Sequence, residues 1–219
     1  MKNLQKMGGI SALFMAAAYI INMVIFLVVL NYMSITDPAQ KMALVADQPT
    51  MIFLTNILGY VLFGVFLVVL SLALHDRLKN GSTGMVQAAV VFGIIWAGSL
   101  IASGMVANAA IAPTVALFAN DPVQATANWS VIETVANGLG NANGEILGGL
   151  FTLLISWAAL KTGKLPKALN ILGLLVGVVG IVTLVPMLNS LVSVFGLGQV
   201  IWFVWLGIVL LRKNQTQVA

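Results

Sequence analysis

The stretch from Glu133 to Gly149, ETVANGLGNANGEILGG, crowds carboxylates, amides and glycines into an otherwise apolar region. Its polar residues recur at intervals of four: Glu133, Asn137, Asn141 and Glu145. On an α-helix this spacing forms one stripe, because residues four apart lie on the same face. A second stripe contains small residues only: Gly140, Gly144 and Gly148. The pattern predicts a helix that presents polar groups and close-packing glycines side by side.

The composition predicts an integral membrane protein. Of the 219 residues, 60% are hydrophobic and 7% are charged, and the mean hydropathy is +1.05. A soluble domain carries roughly 25% charged residues, so this chain cannot cover a soluble surface. The absence of cysteine excludes disulfides and thiolate metal sites, and the single histidine excludes multi-histidine ligation. We therefore expect no metal site and no cofactor.

Six apolar segments predict an all-α, polytopic fold, a six-transmembrane-helix bundle that forms a single integral membrane domain over residues 1–219. The expected helices cover about residues 8–33, 49–74, 85–111, 138–160, 168–188 and 195–211. Polar loops are expected at 34–48 and 114–128, where Asp37-Pro38 and Asp121-Pro122 are turn signals. The third helix is expected to stop before Pro113.

The fourth segment is too long for one membrane crossing. From Trp129 to Leu160 the sequence contains no helix breaker stronger than glycine. A continuous helix of that length would measure about 48 Å, against a hydrocarbon core of about 30 Å. We therefore expect residues 129–137 to form an extension or a short interfacial helix. On this model Glu133 is a solvated or interfacial charge.

Basic residues predict the orientation of the chain. Nine of the ten Lys and Arg residues fall on one side of the predicted bundle, and only Lys41 falls on the other. By the positive-inside rule, the N- and C-termini are expected in the cytoplasm. The positive charges lie at the ends of apolar segments rather than on one exposed face, which argues against nucleic-acid binding.

The first two predicted hairpins share a weak repeat. The two Asp-Pro pairs are 84 residues apart, and with an offset of 85, Asn56 matches Asn141 and Ser71 matches Ser156. A duplication of helical hairpins and a coincidence among common membrane residues both explain these matches.

Glu145 is the principal candidate for a functional residue. It lies 15 residues before Leu160, a rise of about 22 Å, which predicts a carboxylate inside the outer half of the membrane. Hydrogen-bonding side chains that map to similar depths are Asn22, Asn56, Asn108, Asn141 and Gln199. One hypothesis is an outward-facing pocket in which these groups bind a small molecule, a proton or a cation. The other is a structural clasp, in which interhelical hydrogen bonds join the helices.

One part of the chain resembles a known family. The residues are Gly148-Gly-Leu-Phe151 and the run Lys161-Thr-Gly-Lys-Leu-Pro-Lys-Ala-Leu-Asn-Ile-Leu-Gly173. This glycine-rich helix, basic turn and following helix are similar to the bacterial multi-pass membrane family domain-of-unknown-function 4386. The resemblance implies a multi-pass helical protein of the bacterial cytoplasmic (inner) membrane. It supplies no catalytic residues.

Two functions of different classes follow from these features. The first is binding or transport of a small molecule or ion at the Glu145 pocket. The alternative is a structural or regulatory subunit that binds a partner membrane protein through small-residue helix faces. An enzyme is the less favoured hypothesis, because no metal cluster, serine–histidine pair or cofactor signature is present in the sequence.

Overall fold

The computed structural model describes residues 2–81, 83–140 and 145–212. Within those ranges every regular element is a helix, which confirms the all-α prediction. The α-helices are α1 (Lys2–Val24), α2 (Pro38–Asp47), α3 (Pro49–Asn56), α4 (Phe63–Leu78), α5 (Thr83–Phe118), α6 (Pro122–Leu139), α7 (Ile146–Thr162), α8 (Lys167–Val182) and α9 (Val192–Leu211). Two π-helices continue helical segments, Ile25–Val29 and Ile57–Leu62, and two 3₁₀ segments complete the set, Tyr32–Ser34 and Pro186–Leu191.

Four helical segments are long and apolar enough to cross a membrane: Asn3–Val29, Pro49–Leu78, Gly84–Phe118 and Pro186–Leu211. Two shorter helices, Ile146–Thr162 and Lys167–Val182, are also apolar. These lengths, together with the low charge content, indicate a membrane protein.

The third helix was predicted to end too early. It was expected to stop before Pro113, but α5 continues through this residue to Phe118. Proline removes one intrahelical hydrogen bond and crowds the preceding turn. In apolar helices that loss is tolerated, since neighbouring groups and small local adjustments satisfy the freed carbonyl.

The prediction of a continuous helix over residues 138–160 was wrong. Helix α6 ends at Leu139 with Gly140 at its C-cap, and α7 begins at Ile146 with Glu145 at its N-cap. Glycine costs about 1 kcal/mol relative to alanine inside a helix, and several glycines coincide here. Asn141, one of the predicted pocket residues, lies outside the described residues.

The two expected polar loops are also largely helical. The Asp37 carboxylate accepts from the Ala39 amide at 2.9 Å and caps α2, and Asp121 accepts from the Gln124 amide at 3.0 Å and caps α6. In both cases proline occupies the first helical position, where it has no intrahelical partner to lose. The Asp-Pro pairs are therefore helix starts rather than turns. The hairpin duplication itself stays a prediction.

The remaining differences concern helix ends. The first helix begins at Lys2 instead of residue 8 and becomes a π-helix at Ile25, the second reaches Leu78, the fifth ends at Val182, and the sixth begins at Val192. The early end of α8 is followed by a 3₁₀ segment that starts at Pro186, because proline cannot continue the hydrogen-bond ladder.

The chain divides into two compact units with opposite charge. The basic unit comprises residues 1–17, 65–97 and 143–219, and it contains nine Lys or Arg and two Asp or Glu, a net charge of +7. The acidic unit comprises residues 18–64 and 98–142, and it contains one Lys and four Asp or Glu, a net charge of −3. The prediction of a single integral membrane domain over residues 1–219 stays a prediction.

Glycines let α7 and α8 pack closely inside the basic unit. A Cβ atom added to Gly149 would lie 2.8 Å from the Gly177 carbonyl oxygen and 2.9 Å from the Ile181 amide nitrogen. Both neighbours are backbone atoms, which cannot move aside as a side chain can. Close backbone approach through small residues is the usual way in which membrane helices associate.

A group of buried aromatic side chains also packs inside this unit. It consists of Trp96, Phe151, Trp202 and Phe203, with ring centroids between 5.5 and 6.4 Å apart for the successive pairs. Offset and edge-on contacts at such distances are favourable for aromatic rings.

The acidic unit is built around α2 and α6. Its buried apolar cluster includes Met42 and Val45 from α2, Ile52 from α3, and Ala125 and Trp129 from α6. The apolar face of α2 therefore packs against α6, so neither helix is a solvated loop.

Candidate functional site

Glu145 occupies the N-cap of α7, at the break that separates α7 from α6. Its backbone amide donates to the Thr183 hydroxyl oxygen at 2.9 Å. Its carboxylate does not cap the helix, and among the described residues it makes no hydrogen bond or ion pair. A partly buried carboxylate that has no partner among the described residues is a candidate to bind a proton or a cation.

Thr183 holds the backbone at Glu145, although sequence reasoning did not identify it. Its buried hydroxyl accepts from Glu145 and donates to the Gly180 carbonyl at 2.6 Å. The Thr183 carbonyl in turn accepts from the Asn189 side chain at 3.3 Å. The N-terminus of α7 is thus tied to the end of α8 and to the following 3₁₀ segment. A hydroxyl at the end of an otherwise apolar run, three residues before Pro186, was the available signal.

Below Glu145, α7 carries two further buried hydroxyls on the same face. Thr152 and Ser156 follow Glu145 by 7 and 11 residues, close to two and three full turns. Thr152 pairs with Gln199 of α9: the threonine hydroxyl lies 3.1 Å from the amide oxygen and 3.0 Å from the amide nitrogen. Gln199 is fully buried, so this pair uses most of its hydrogen-bonding capacity internally.

Ser156 has a different environment one turn further along α7. Its Oγ atom and the Trp202 Nε1 atom are buried, and neither has a hydrogen-bond partner within the described ranges. Both atoms lie against Gly173, where an added Cβ would overlap them. The absence of a side chain at Gly173 is what makes room for these two polar groups.

The three described asparagines of the predicted pocket lie together in the acidic unit. Asn56 Nδ2 donates to Asn108 Oδ1 at 2.9 Å, and Asn108 Nδ2 donates to the Phe53 carbonyl at 3.2 Å. Asn22, with its amide nitrogen towards α3, donates to the Thr55 carbonyl at 3.1 Å and accepts from the Gly59 amide at 2.9 Å.

These amide side chains bond to backbone groups beside a distortion of the helix. Residues Ile57–Leu62 form a π-helix, in which hydrogen bonds span five residues and the regular ladder shifts. The carbonyls of Phe53 and Thr55, just before this segment, are the ones that accept from Asn108 and Asn22. Gly59 allows the approach, because a Cβ there would overlap the Asn22 side chain. The contacts of the three asparagines are those of a polar clasp.

Glu133, which was predicted to be a solvated or interfacial charge, is partly buried and paired. Its Oε1 atom lies 2.8 Å from Lys41 Nζ and 3.0 Å from the Tyr32 hydroxyl, which also accepts from Trp129 Nε1 at 3.1 Å. The ammonium of Lys41 lies 5.1 Å from the centre of the Tyr32 ring. Burial of the Tyr32 phenol raises its pKa well above the ordinary range. This network, which we call the outer clasp, joins α2, α6 and the 3₁₀ segment between α1 and α2.

The predicted pocket residues are therefore distributed over both units. Asn22, Asn56 and Asn108 belong to the acidic unit, whereas Glu145 and Gln199 belong to the basic unit. A single pocket formed by all of them stays a prediction. In the described parts of the chain, no three His, Cys, Asp or Glu residues are grouped as a metal site would require.

Comparisons with known proteins identify a family but no characterised relative. No curated protein and no solved structure matches the chain. The family model described as "Domain of unknown function (DUF4386)" matches residues 7–212. This range includes the helix α7, the basic turn and the helix α8, on which the resemblance in the sequence depended. The chain therefore belongs to the DUF4386 family.

Proposed function

We propose that this protein binds or transports a small cation, a proton or a small cationic molecule at Glu145. The observation that carries the proposal is the carboxylate at the start of α7, which has no partner among the described residues. Ionisable side chains are costly inside a membrane, so a retained carboxylate there is a functional-site candidate by default.

The helix break supports this proposal. Many transporters form their binding sites from discontinuous helices, whose ends supply polar groups near the middle of the membrane. Here the break interrupts residues 138–160, which were expected to form one continuous helix. Glu145 is the N-cap of α7, the helix that begins after the break. Helix α7 measures about 25 Å from Ile146 to Thr162, less than a hydrocarbon core of about 30 Å, so on this proposal Glu145 would lie inside the outer part of the membrane.

The proposed setting is a bacterial inner membrane with six spans and cytoplasmic termini. The two short apolar helices, α7 and α8, would complete the four longer spans. Nine basic residues in the basic unit, against one in the acidic unit, support this orientation. On this orientation Glu145 faces the outer side, and a ligand reaches it from outside the cell.

The chemistry would be reversible neutralisation of one charge. A proton or a monovalent cation cancels the charge of the Glu145 carboxylate and lowers the cost of keeping it away from water. The Thr183 hydroxyl holds the backbone at Glu145, so the carboxylate starts from a defined position. Movement at the end of α8 would couple occupancy to the 3₁₀ segment through Asn189.

The decisive experiment compares Glu145→Gln with Asp47→Asn in proteoliposomes. The control removes one carboxylate charge from an exposed position at the end of α2. Charge movement is recorded by solid-supported-membrane electrophysiology after steps in Na⁺, K⁺, tetramethylammonium or pH. We expect at least one step to give a current in the wild type and in Asp47→Asn, and a loss of roughly tenfold or more in Glu145→Gln.

Two results would contradict the proposal. One is a current in Glu145→Gln that equals the wild-type current for every probe. The other is a wild type that gives no current with any probe and whose melting temperature does not shift with any of them.

The alternative function, a structural or regulatory subunit, receives less support. It depends on small-residue faces that are free to bind a partner. Gly149, Gly177 and Gly180 are instead in contact with one another between α7 and α8, and Gly173 is covered by Ser156 and Trp202. A partner would need a different surface.

A further inference from the structure

The turn between α7 and α8 is held by hydrogen bonds from side chains to its backbone carbonyls. Gly163 adopts a left-handed conformation with φ of 64°, which ends α7 and is favourable for glycine. Arg77 donates to the Lys164 carbonyl from Nε at 3.2 Å and from Nη2 at 3.0 Å. Asn170 Nδ2 donates to the Leu165 carbonyl at 3.2 Å, and Leu165 is buried. The backbone of the turn is therefore anchored on both sides.

The side chains of this turn present uncompensated positive charge. Lys161, Lys164 and Lys167 recur every three residues, and all three are exposed. No Asp or Glu occurs after Glu145, which lies at the opposite end of α7. The carboxylate of Asp76, on neighbouring α4, is already paired with Lys79 at 2.6 Å.

The start of α8 adds to this positive potential. No side chain caps its N-terminus and its first turn contains no acidic residue. A helix N-terminus carries partial positive charge, so a lysine at the first position is unfavourable unless an anion is also present. The arrangement resembles the helix starts that bind phosphate groups.

Arg77 brings a further positive charge next to the turn. While Nε and Nη2 hold the Lys164 carbonyl, Nη1 is shielded from solvent and has no hydrogen-bond partner within the ranges described. A buried guanidinium nitrogen without an acceptor is costly. A phosphate at the turn would therefore meet the guanidinium as a nearby positive charge that adds to the exposed lysines, and not through the shielded Nη1 atom.

The level of the turn relative to lipid is indicated by Trp157. Its ring is 47% exposed, and Lys161 Nζ lies 5.4 Å from the ring centre. An exposed tryptophan beside a lysine, one turn before the end of an apolar helix, is typical of the membrane–water interface. Lipid phosphates lie at this level.

We propose that Arg77 and the turn at residues 161–167 bind the phosphate of an anionic phospholipid. Basic pockets between membrane helices are known to select such head groups. The site is separate from Glu145, and its occupancy would stabilise the α7–α8 pair from the basic side. The proposal does not depend on transport, because Glu145→Gln is expected to leave lipid binding unchanged.

The test uses the full chain in neutral detergent and counts bound lipid by native mass spectrometry. Phosphatidylglycerol is titrated against phosphatidylcholine with the same acyl chains. The test variant is Lys161→Gln/Lys164→Gln, and the matched control, Lys6→Gln/Arg212→Gln, also removes two exposed basic side chains. We expect the wild type and the control to prefer phosphatidylglycerol by roughly tenfold or more, and the test variant to lose most of that preference.

Two further arms separate the sources of phosphate and the effects of charge. Lys161→Arg/Lys164→Arg should restore the preference, and soluble glycerol phosphate at the same concentration should not displace the lipid. Equal losses in test variant and control, or no preference in the wild type, would overturn the site. Displacement by glycerol phosphate would overturn the assignment to lipid.

Discussion

The acidic and basic units differ in whether their polar side chains have hydrogen-bond or ion-pair partners. In the acidic unit, the clustered polar side chains bond to one another or to backbone, as in the outer clasp and the three asparagines. In the basic unit, the Glu145 carboxylate and the Arg77 Nη1 atom have no partners among the described residues. The comparison teaches that burial of polar groups alone does not mark a site. We propose that a charged group without a partner among the described residues does.

The difference also affects what holds each unit together. The α7–α8 pair of the basic unit depends on close backbone contact at glycines, whereas the outer clasp of the acidic unit adds hydrogen bonds and an ion pair to an apolar cluster. Steric contact depends little on salt, whereas an ion pair that is partly exposed is screened by salt.

The largest expected effect is in the glycine contact. Gly149→Ala places a methyl group within 3 Å of backbone atoms of α8, and we expect a loss of about 2–3 kcal/mol in the free energy of unfolding. The matched control is Gly84→Ala in the same unit, because a Cβ there meets nothing within 4 Å. Reversible unfolding in mixed micelles measures both. Equal stability of the two variants would show that α7 and α8 can separate without cost.

A smaller effect is expected in the outer clasp. Glu133→Ala removes the acceptor for both Lys41 and Tyr32, whose polar groups remain partly buried. We expect a loss of about 1–2 kcal/mol that decreases as salt is added. Asp47→Ala, which removes an exposed carboxylate from the same unit, should change stability by less than about 0.5 kcal/mol. A loss that does not change between low and high salt would contradict a role for the ion pair.

The smallest effect concerns the pair of asparagines beside the π-helix. A double-mutant cycle with Asn56→Ala and Asn108→Ala should give a coupling of about 0.6 kcal/mol, typical of hydrogen bonds between membrane helices. Unfolding of the two single variants and the double variant under identical conditions gives this value. Strict additivity would mean that the two amides do not stabilise each other, and would favour a ligand-facing role for them.

Much of the architecture could be predicted from the sequence because it depends on composition and local pattern. Apolar runs indicated the membrane helices, and Lys161 to Gly173 carried the resemblance to the family that the comparison confirms. Helix continuity was harder to predict. Pro113 was expected to end a helix and did not, whereas glycines around residue 140 were expected to be tolerated and coincide with a break. Both outcomes depend on neighbouring helices, which a single local pattern does not describe.

The candidate site, too, could be predicted only in part from the sequence. Glu145 could be selected from the sequence, because a carboxylate among apolar residues is conspicuous. Thr183 was not selected, because its position three residues before Pro186 is only a weak signal and packing is what brings it to the Glu145 amide. Glu133 was predicted to be a solvated or interfacial charge, and its pairing was not foreseen because its partners, Lys41 and Tyr32, are more than 90 residues away.

The sequence by itself determined that this chain is helical, apolar and asymmetrically charged, because composition and charge need no knowledge of contacts. Tertiary structure decided which polar groups are satisfied. The outer clasp and the asparagine contacts form between segments far apart in the chain, whereas the Glu145 carboxylate and the Arg77 Nη1 atom have no partner among the described residues. Pairing is a property of distance and orientation in space, which residue spacing along the chain does not contain.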